Sequence, residues 1–475
     1  MSEIIKNDAV RSKVETVFKV LLFIYLSLGT CNLTYRTPII SVFVYPTFLL
    51  GAVCLLWRLL LFKKFVKSPH LLWPVLLLVF YAFSAVMNLQ YLNKQLILVF
   101  ALWCFYFLIL FINDPDKTQD DFQKEIKLFF VIYLIYVTVL VAISIIMMLS
   151  GYGLAYRDPN NNNYEVVKGF FYGRLWGAFQ DPNLGSVMCN IAIVISVFFI
   201  WKLKKKIVTV LLCLDIVAMI FYIAVSDSRN GLVTSGCICG FAAFFYLFRK
   251  YGGEKSLLKK SACLLAAVLC AAVGFVIPKT VKNGYNKTIM LVYSEKGAHG
   301  SDETQNYNSV LVERGYDIKD NVSNNRFAIW ETGIKVAVDN LATGTTFEGL
   351  LPYVKENYPN SYMVSNGLWE FNTLDNDYLN IFASLGLPGI ATVVILMVIS
   401  VICLFKNIFT VAKEYYPVML VCAVTVCMLA VSALFQGTMF YQQTPNTAMF
   451  WMFLGYVVFF TPKRKNADKA VEKKL

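Results

Sequence analysis

Apolar runs long enough to cross a bilayer recur from one end of this chain to the other, and they leave it few ways to fold. A hydrocarbon core of roughly 30 Å takes about 20 apolar residues in helical form. Inside lipid every backbone N–H and C=O must find a partner within the protein, so each run is expected to be an α-helix. The 475 residues are 58% hydrophobic and 15% charged, against roughly 45–50% and about 25% in soluble domains. The expected fold class is an all-α polytopic membrane protein.

About twelve spans are counted by this criterion. They start near Val20, Ile39, Leu71, Leu96, Leu128, Asn183, Ile207, Gly231, Ser261, Tyr378, Pro417 and Thr447. Residues 1–278 are therefore expected to hold nine helices with short connections, and 279–376 one large polar loop. Residues 377–461 hold three more helices, and 462–475 a tail. Gly386, Pro388 and Gly389 inside the tenth span predict a kink or a close helix approach. Within the loop, Ser323 to Asn340 reads as a helix. Ser323 or Asn324 can cap it, and Phe327, Trp330, Ile334 and Val338 recur at spacings of three and four. The Ala342-Thr343-Gly344 segment ends it.

The formal charge of +13 does not point to nucleic acid, because Lys and Arg gather in short clusters at alternate helix ends. That is the positive-inside pattern. It predicts both termini in the cytoplasm and the large loop outside. Lys6, Arg11, Lys13 and Lys19 precede the first run with no small-residue cleavage site behind them, so that run is expected to be retained as a helix. Nearly all of the 12 cysteines lie inside apolar runs, where they serve as small packing residues. His70 and His299 have no His or Cys partner at ligand spacing, so no metal is expected. Neither a phosphate loop, nor a nucleotide fingerprint, nor a serine elbow is present. No cofactor and no ATP-driven step are expected.

Chemistry is expected where the polar loops meet the helices. Arg174 precedes the sixth span, Arg229 sits in a very short turn between two spans, and Arg326 opens the loop helix. Arginine near hydrocarbon is costly, and its guanidinium matches phosphate oxygens in a bidentate way. A lipid pyrophosphate is a suitable anion for all three. Snorkelling, or pairing with Asp181 or Asp227, is the structural alternative. Asp375, where the loop enters the tenth span, suits a general base or a hydroxyl-orienting group. It also suits a helix cap, as do Asn376 and Asp377. Loop aromatics such as Trp330 and Trp369, with Tyr378 just beyond, can stack on sugar faces, although aromatics collect at any membrane interface.

Four segments together resemble the O-antigen ligase and Wzy-type polysaccharide polymerase superfamily of membrane glycosyltransferases. They are Arg174-Leu175-Trp176-Gly177 with Asp181-Pro182-Asn183, then Ser228-Arg229, then Asn325-Arg326-Phe327 to Trp330 with Gly344. The last is Asp375-Asn376-Asp377-Tyr378-Leu379 with Gly386 and Gly389. One departure is Asp375, which stands where the ligases of the family carry a histidine. The resemblance implies a GT-C-like architecture in a bacterial inner membrane. It also implies a donor glycan on undecaprenyl pyrophosphate, with flippase and chain-length regulator proteins as partners. Arg174, Arg229 and Arg326 would hold the pyrophosphate, and Asp375 would act on the acceptor hydroxyl. The departure tilts the expectation toward a repeat-unit polymerase. A ligase that moves glycan to a different acceptor and a lipid-linked oligosaccharide transporter are the alternatives.

Overall fold

The computed structural model describes residues 8–460, apart from 36, 69, 116, 159–160, 252–255, 298–310, 313–324 and 367–369. Trp369, His299 and the tail at 462–475 therefore lie outside the described residues. The described residues are 77% helical. Each apolar run is a helix: α1 (Asp8–Thr30), α2 (Pro38–Leu60), α3 (Leu72–Met87), α4 (Lys94–Phe105), α5 (Gln119–Leu149), α6 (Pro182–Leu203), α7 (Lys206–Val225), α8 (Arg229–Tyr251) and α9 (Leu257–Gly297). The loop contributes α10 (Arg326–Asp339) and α11 (Leu350–Asn357). The last three spans are α12 (Asp377–Thr410), α13 (Tyr416–Ser432) and α14 (Pro445–Phe459). Among the described residues, eight helices are long and apolar enough to cross a membrane, and α3 and α13 are shorter apolar helices. The protein is an all-α polytopic membrane protein.

Three features depart from the sequence expectation. First, α9 does not stop at Pro278 but continues to Gly297, so the large loop begins with a helical extension. Asn286 on that extension exchanges hydrogen bonds with the backbone of Val312, at 2.9 and 3.0 Å. Second, the connection between α5 and α6 is not only turns. It forms a three-stranded antiparallel sheet of β1 (Gly153–Asp158), β2 (Asn161–Phe171) and β3 (Arg174–Gly177). Asn32, just past α1, pins this sheet by donating to Val167 O at 2.6 Å and Phe179 O at 2.7 Å. Third, the loop helix buries a different face. Ile329, Thr332, Gly333, Val336 and Ala337 are its buried positions. Phe327, Ile334 and Val338 are exposed, Phe327 by 68%. Both faces of α10 are partly apolar, so spacing alone does not choose between them.

The cationic residues before the first apolar run are also not a loose flank. Arg11, Glu15 and Lys19 lie within α1 and are buried. Arg58 grips Glu15 through two bonds of 2.7 and 2.6 Å. It also donates to Leu108 O and Ile112 O. The first carbonyl lies within the Tyr106–Phe111 π-helical turn that follows α4 and the second just past it, where the regular ladder is interrupted. Lys19 pairs with Glu125 of α5 at 3.0 Å. Burial of this kind is sustainable only because each charge has a partner.

The expected kink in α12 is a full break. Gly386 has φ 65 and ψ −162, a conformation open essentially to glycine. Backbone freed by a break in a spanning helix must be satisfied by protein, and the loop after α10 does this. Thr345 N and Thr346 N donate to Ala383 O and Ser384 O, both at 3.0 Å, and Leu387 N donates to Leu341 O at 2.7 Å. Gly344 (φ 64) lies so close that a Cβ there would collide with the Ser384 carbonyl. Ser84 of α3 adds a bond to Ser384 O at 2.8 Å, and Phe347 stacks on Tyr441 at 4.0 Å. The loop is thus sewn into the helical bundle.

This docking makes Gly344→Ala costly. It should destabilise the protein by about 1–3 kcal/mol from backbone strain alone, plus the clash. Gly151→Ala meets similar strain (φ 67) in open space. Thermal unfolding in detergent should therefore show a clearly larger drop in Tm for Gly344→Ala, and equal drops would refute the docking.

Candidate active site

Asp375 does not cap α12. That task falls to Asn376, whose side chain accepts from Tyr378 N at 3.0 Å and Leu379 N at 3.1 Å. Asp375 is left one residue upstream, at φ 49, in the left-handed region that Asp and Asn tolerate better than other side chains. Its neighbours fix it. Leu374 is fully buried in the small core of the loop, and its side chain lies against Gly333 of α10. Leu374 N donates to Asn380 Oδ1 at 3.0 Å, and Trp330 Nε1 donates to Leu374 O at 2.8 Å. Asp375 Oδ2 then lies 3.7 Å from Arg326 Nε, with 38% of its side chain still exposed. Withdrawal from water raises the Asp375 carboxyl above its ordinary value. The Arg326 guanidinium opposes the rise and the Asp181 carboxylate adds to it.

Asp375 and Arg326 line one side of a cavity of about 960 Å³ at the loop end of the bundle. The rest of its wall comes from distant parts of the chain. The α1 end gives Tyr25 and Tyr35, β2 gives Glu165, and the α6 start gives Gln180 and Asp181. The 433–444 connection gives Gln436, Tyr441, Gln442 and Gln443. Carboxylates, amides and phenols with aromatic faces are the groups that hydrogen-bond and stack on sugars. The 433–444 connection is held by Asp377, which is fully buried and accepts from Thr438 N at 2.7 Å and Met439 N at 2.6 Å. Asp181 caps α6 through Asn183 N and Leu184 N, at 2.7 and 2.9 Å.

A second, smaller cleft of about 200 Å³ adjoins Arg326. Arg229, Asn230 and Val233 form one wall, and Arg326, Phe327 and Trp330 the other. Arg229 and Arg326 are each the first residue of a helix. Two guanidinium groups and two helix N-termini therefore meet at one place, an arrangement suited to an anion. The apolar remainder of the wall suits a hydrocarbon tail.

The candidate residues divide accordingly. The structure brings together Arg229, Arg326 and Asp375. Arg174 stands apart: its Nε donates to Ser226 O at 2.9 Å and its guanidinium lies 5.6 Å from the Trp176 ring. Ser226 begins the turn that carries Arg229, so Arg174 braces that turn and lines neither space. Trp330 serves chiefly as an anchor through Leu374. Tyr378 donates to Ala430 O at 2.8 Å and does not line the cavity. The aromatic lining is instead Tyr25, Tyr35, Trp176, Phe435 and Tyr441. Tyr25 lies in an apolar run and reads as core. Gln442 and Gln443 sit in a short polar turn before α14, which is a weak signal in sequence. Among the described residues, no three His, Cys, Asp or Glu side chains are grouped to hold a metal ion.

Two outcomes test this geometry. Because folding raises the Asp375 pKa, its contribution to stability is fully present below the ordinary carboxylate value of roughly 3.9 and is lost as pH rises through the folded value. Asp375→Asn should therefore raise Tm at neutral pH, and the gap should close on acidification. Trp330→Phe keeps a ring but removes the bond to Leu374. It should cost about 0.5–1.5 kcal/mol and speed amide exchange at 373–376, both measurable on purified protein.

Neither the curated proteins nor the solved structures contain a match to this chain. A family model does match: Wzy_C, described as O-antigen ligase, over residues 214–394. Arg229, Arg326 and Asp375 all fall inside that stretch, whereas Arg174 and the sheet precede it. The match supports a membrane enzyme of O-antigen ligase or polymerase type. Over this stretch, which is less than half of its length, the chain resembles the O-antigen ligase/Wzy-type superfamily.

Proposed function

We propose that the protein is a polysaccharide repeat-unit polymerase of a bacterial inner membrane, with both termini cytoplasmic and its cavity open to the outer face. It would serve capsule, exopolysaccharide or O-antigen synthesis. The donor is a glycan on undecaprenyl pyrophosphate. The acceptor is a sugar hydroxyl of another lipid-linked repeat. The observation that carries this reading is the Asp375–Arg326 pair at 3.7 Å, set between a sugar-sized cavity and a two-arginine cleft.

The chemistry follows from that placement. The acceptor hydroxyl oxygen attacks the anomeric carbon of the donor, and the bond from that carbon to the pyrophosphate oxygen breaks. Asp375 takes the hydroxyl proton, and its raised pKa makes it a better base than an ordinary carboxylate. Arg229 and Arg326 stabilise the charge that develops on the departing pyrophosphate. Arg174 holds the turn that presents Arg229. The activated donor supplies the free energy. A ligase would use the same groups but need a different acceptor.

Purified protein incubated with lipid-linked repeats alone should make a ladder of longer glycans. No ladder until a separate acceptor is added would favour a ligase. No transfer to any acceptor would overturn the enzyme reading. Arg229→Ala and Arg326→Ala should each lower kcat by about 10²–10³. The acid limb of the rate profile should lie above pH of roughly 3.9, rate falling as Asp375 protonates, and Asp375→Asn should leave little rate at any pH.

A further inference from the structure

Helix α9 crosses the level of the α7–α8 turn and continues beyond it, because it runs on past Pro278 to Gly297. A cleft of about 250 Å³ opens between the two. Part of its wall is apolar, with Ile223, Leu232 and Phe275. Its rim is polar, with Arg229, Lys279 and Lys282. Lys279 and Lys282 are three residues apart and so share a face of α9. Lys282 Nζ lies 2.8 Å from Asp227 Oδ1, the one carboxylate that lines the cleft beside three cationic side chains. The rim lies where the apolar run of α9 ends, the depth at which a lipid changes from hydrocarbon to headgroup. Arg229 lines both this cleft and the one it shares with Arg326. It is the partition between two cationic, apolar-backed spaces.

We propose that this outer cleft is a second lipid-phosphate subsite, which holds the pyrophosphate of the acceptor's lipid carrier while the Arg229–Arg326 cleft holds that of the donor. The assignment rests on the polymerase reading: joining two lipid-linked repeats requires two lipid phosphates at the enzyme together, whereas the donor alone requires one. The rim lysines bind a phosphate as point charges, and the apolar wall covers the first part of the tail. They select for a lipid-linked acceptor and take no part in bond breaking.

The test separates donor from acceptor. The donor is a lipid-linked repeat blocked at its non-reducing end, so that it can only donate. The acceptor is either a lipid-pyrophosphate-linked repeat or the same oligosaccharide without lipid or phosphate. Wild-type protein should prefer the lipid-linked acceptor. Lys279→Gln, and Lys279→Gln with Lys282→Gln, should raise KM for that acceptor about tenfold, roughly 1.4 kcal/mol, while the donor KM and the rate with free oligosaccharide stay unchanged. Lys279→Gln alone leaves the Lys282–Asp227 pair intact, so a folding defect in the double variant does not obscure the result. Equal effects on both acceptors, or a raised donor KM, would overturn the assignment. So would loss of the wild-type preference on adding phosphatidylglycerol vesicles, which would give the cleft to bulk anionic lipid. A wild-type protein that transfers to neither acceptor would refute the polymerase reading itself, and this subsite with it.

Discussion

The backbone hydrogen bonds between residues 341–346 and the broken first part of α12 are the contact on which the loop end depends. A spanning helix broken at Gly386 frees peptide groups that hydrocarbon cannot satisfy, and an unpaired buried peptide group costs several kcal/mol. Thr345, Thr346 and Leu341 meet that need. In doing so they anchor the loop between α10, which starts with Arg326, and α12, which is preceded by Asp375. The two residues are far apart in sequence but both sit on elements tied to one joint. A loop resting on the membrane by apolar contact alone would have no such register.

The two ends of the bundle use charge differently. Away from the loop, Arg58, Glu15, Lys19 and Glu125 are buried and paired, with Arg58 also taking up carbonyls beside a π-turn. Those charges are spent on each other. At the loop end, Arg326 faces Asp375 at a longer distance and both face open space. Such looser pairing costs stability, as the raised Asp375 pKa indicates, and it leaves groups available to a ligand. Polar side chains are also partly sorted by kind: amides, phenols and carboxylates surround the large cavity, which Arg326 also lines, while Arg229, Lys279 and Lys282 line only the smaller clefts.

Much of the site was legible in the chain. Arg229 is conspicuous as a cation in a turn too short to be a solvated loop, and Gly386, Pro388 and Gly389 predict a kink or a close helix approach, where the structure has a full break. Asp375 against Asn376 was not decidable from spacing, because either side chain can cap a helix; the backbone of Asp375 turns the wrong way for that role. Arg174 was read as an anion ligand from its place beside a span. Its partner is instead the Ser226 carbonyl, about fifty residues on, and no local pattern encodes that. Trp330 and Tyr378 were read as stacking surfaces, yet their polar atoms are held by Leu374 O and Ala430 O.

By itself the sequence determined the all-α membrane class and where the apolar helices lie, because hydrocarbon imposes length, apolarity and internal hydrogen bonding on each segment separately. It also placed Arg326 at the start of the loop helix and Arg229 at the turn leading into α8, since those positions are local. The tertiary structure alone decided which face of α10 is buried, that α9 stays helical past Pro278, and which of the polar residues share a space. Those outcomes depend on packing between segments tens to hundreds of residues apart, where shape and backbone satisfaction choose among arrangements that hydropathy leaves equal.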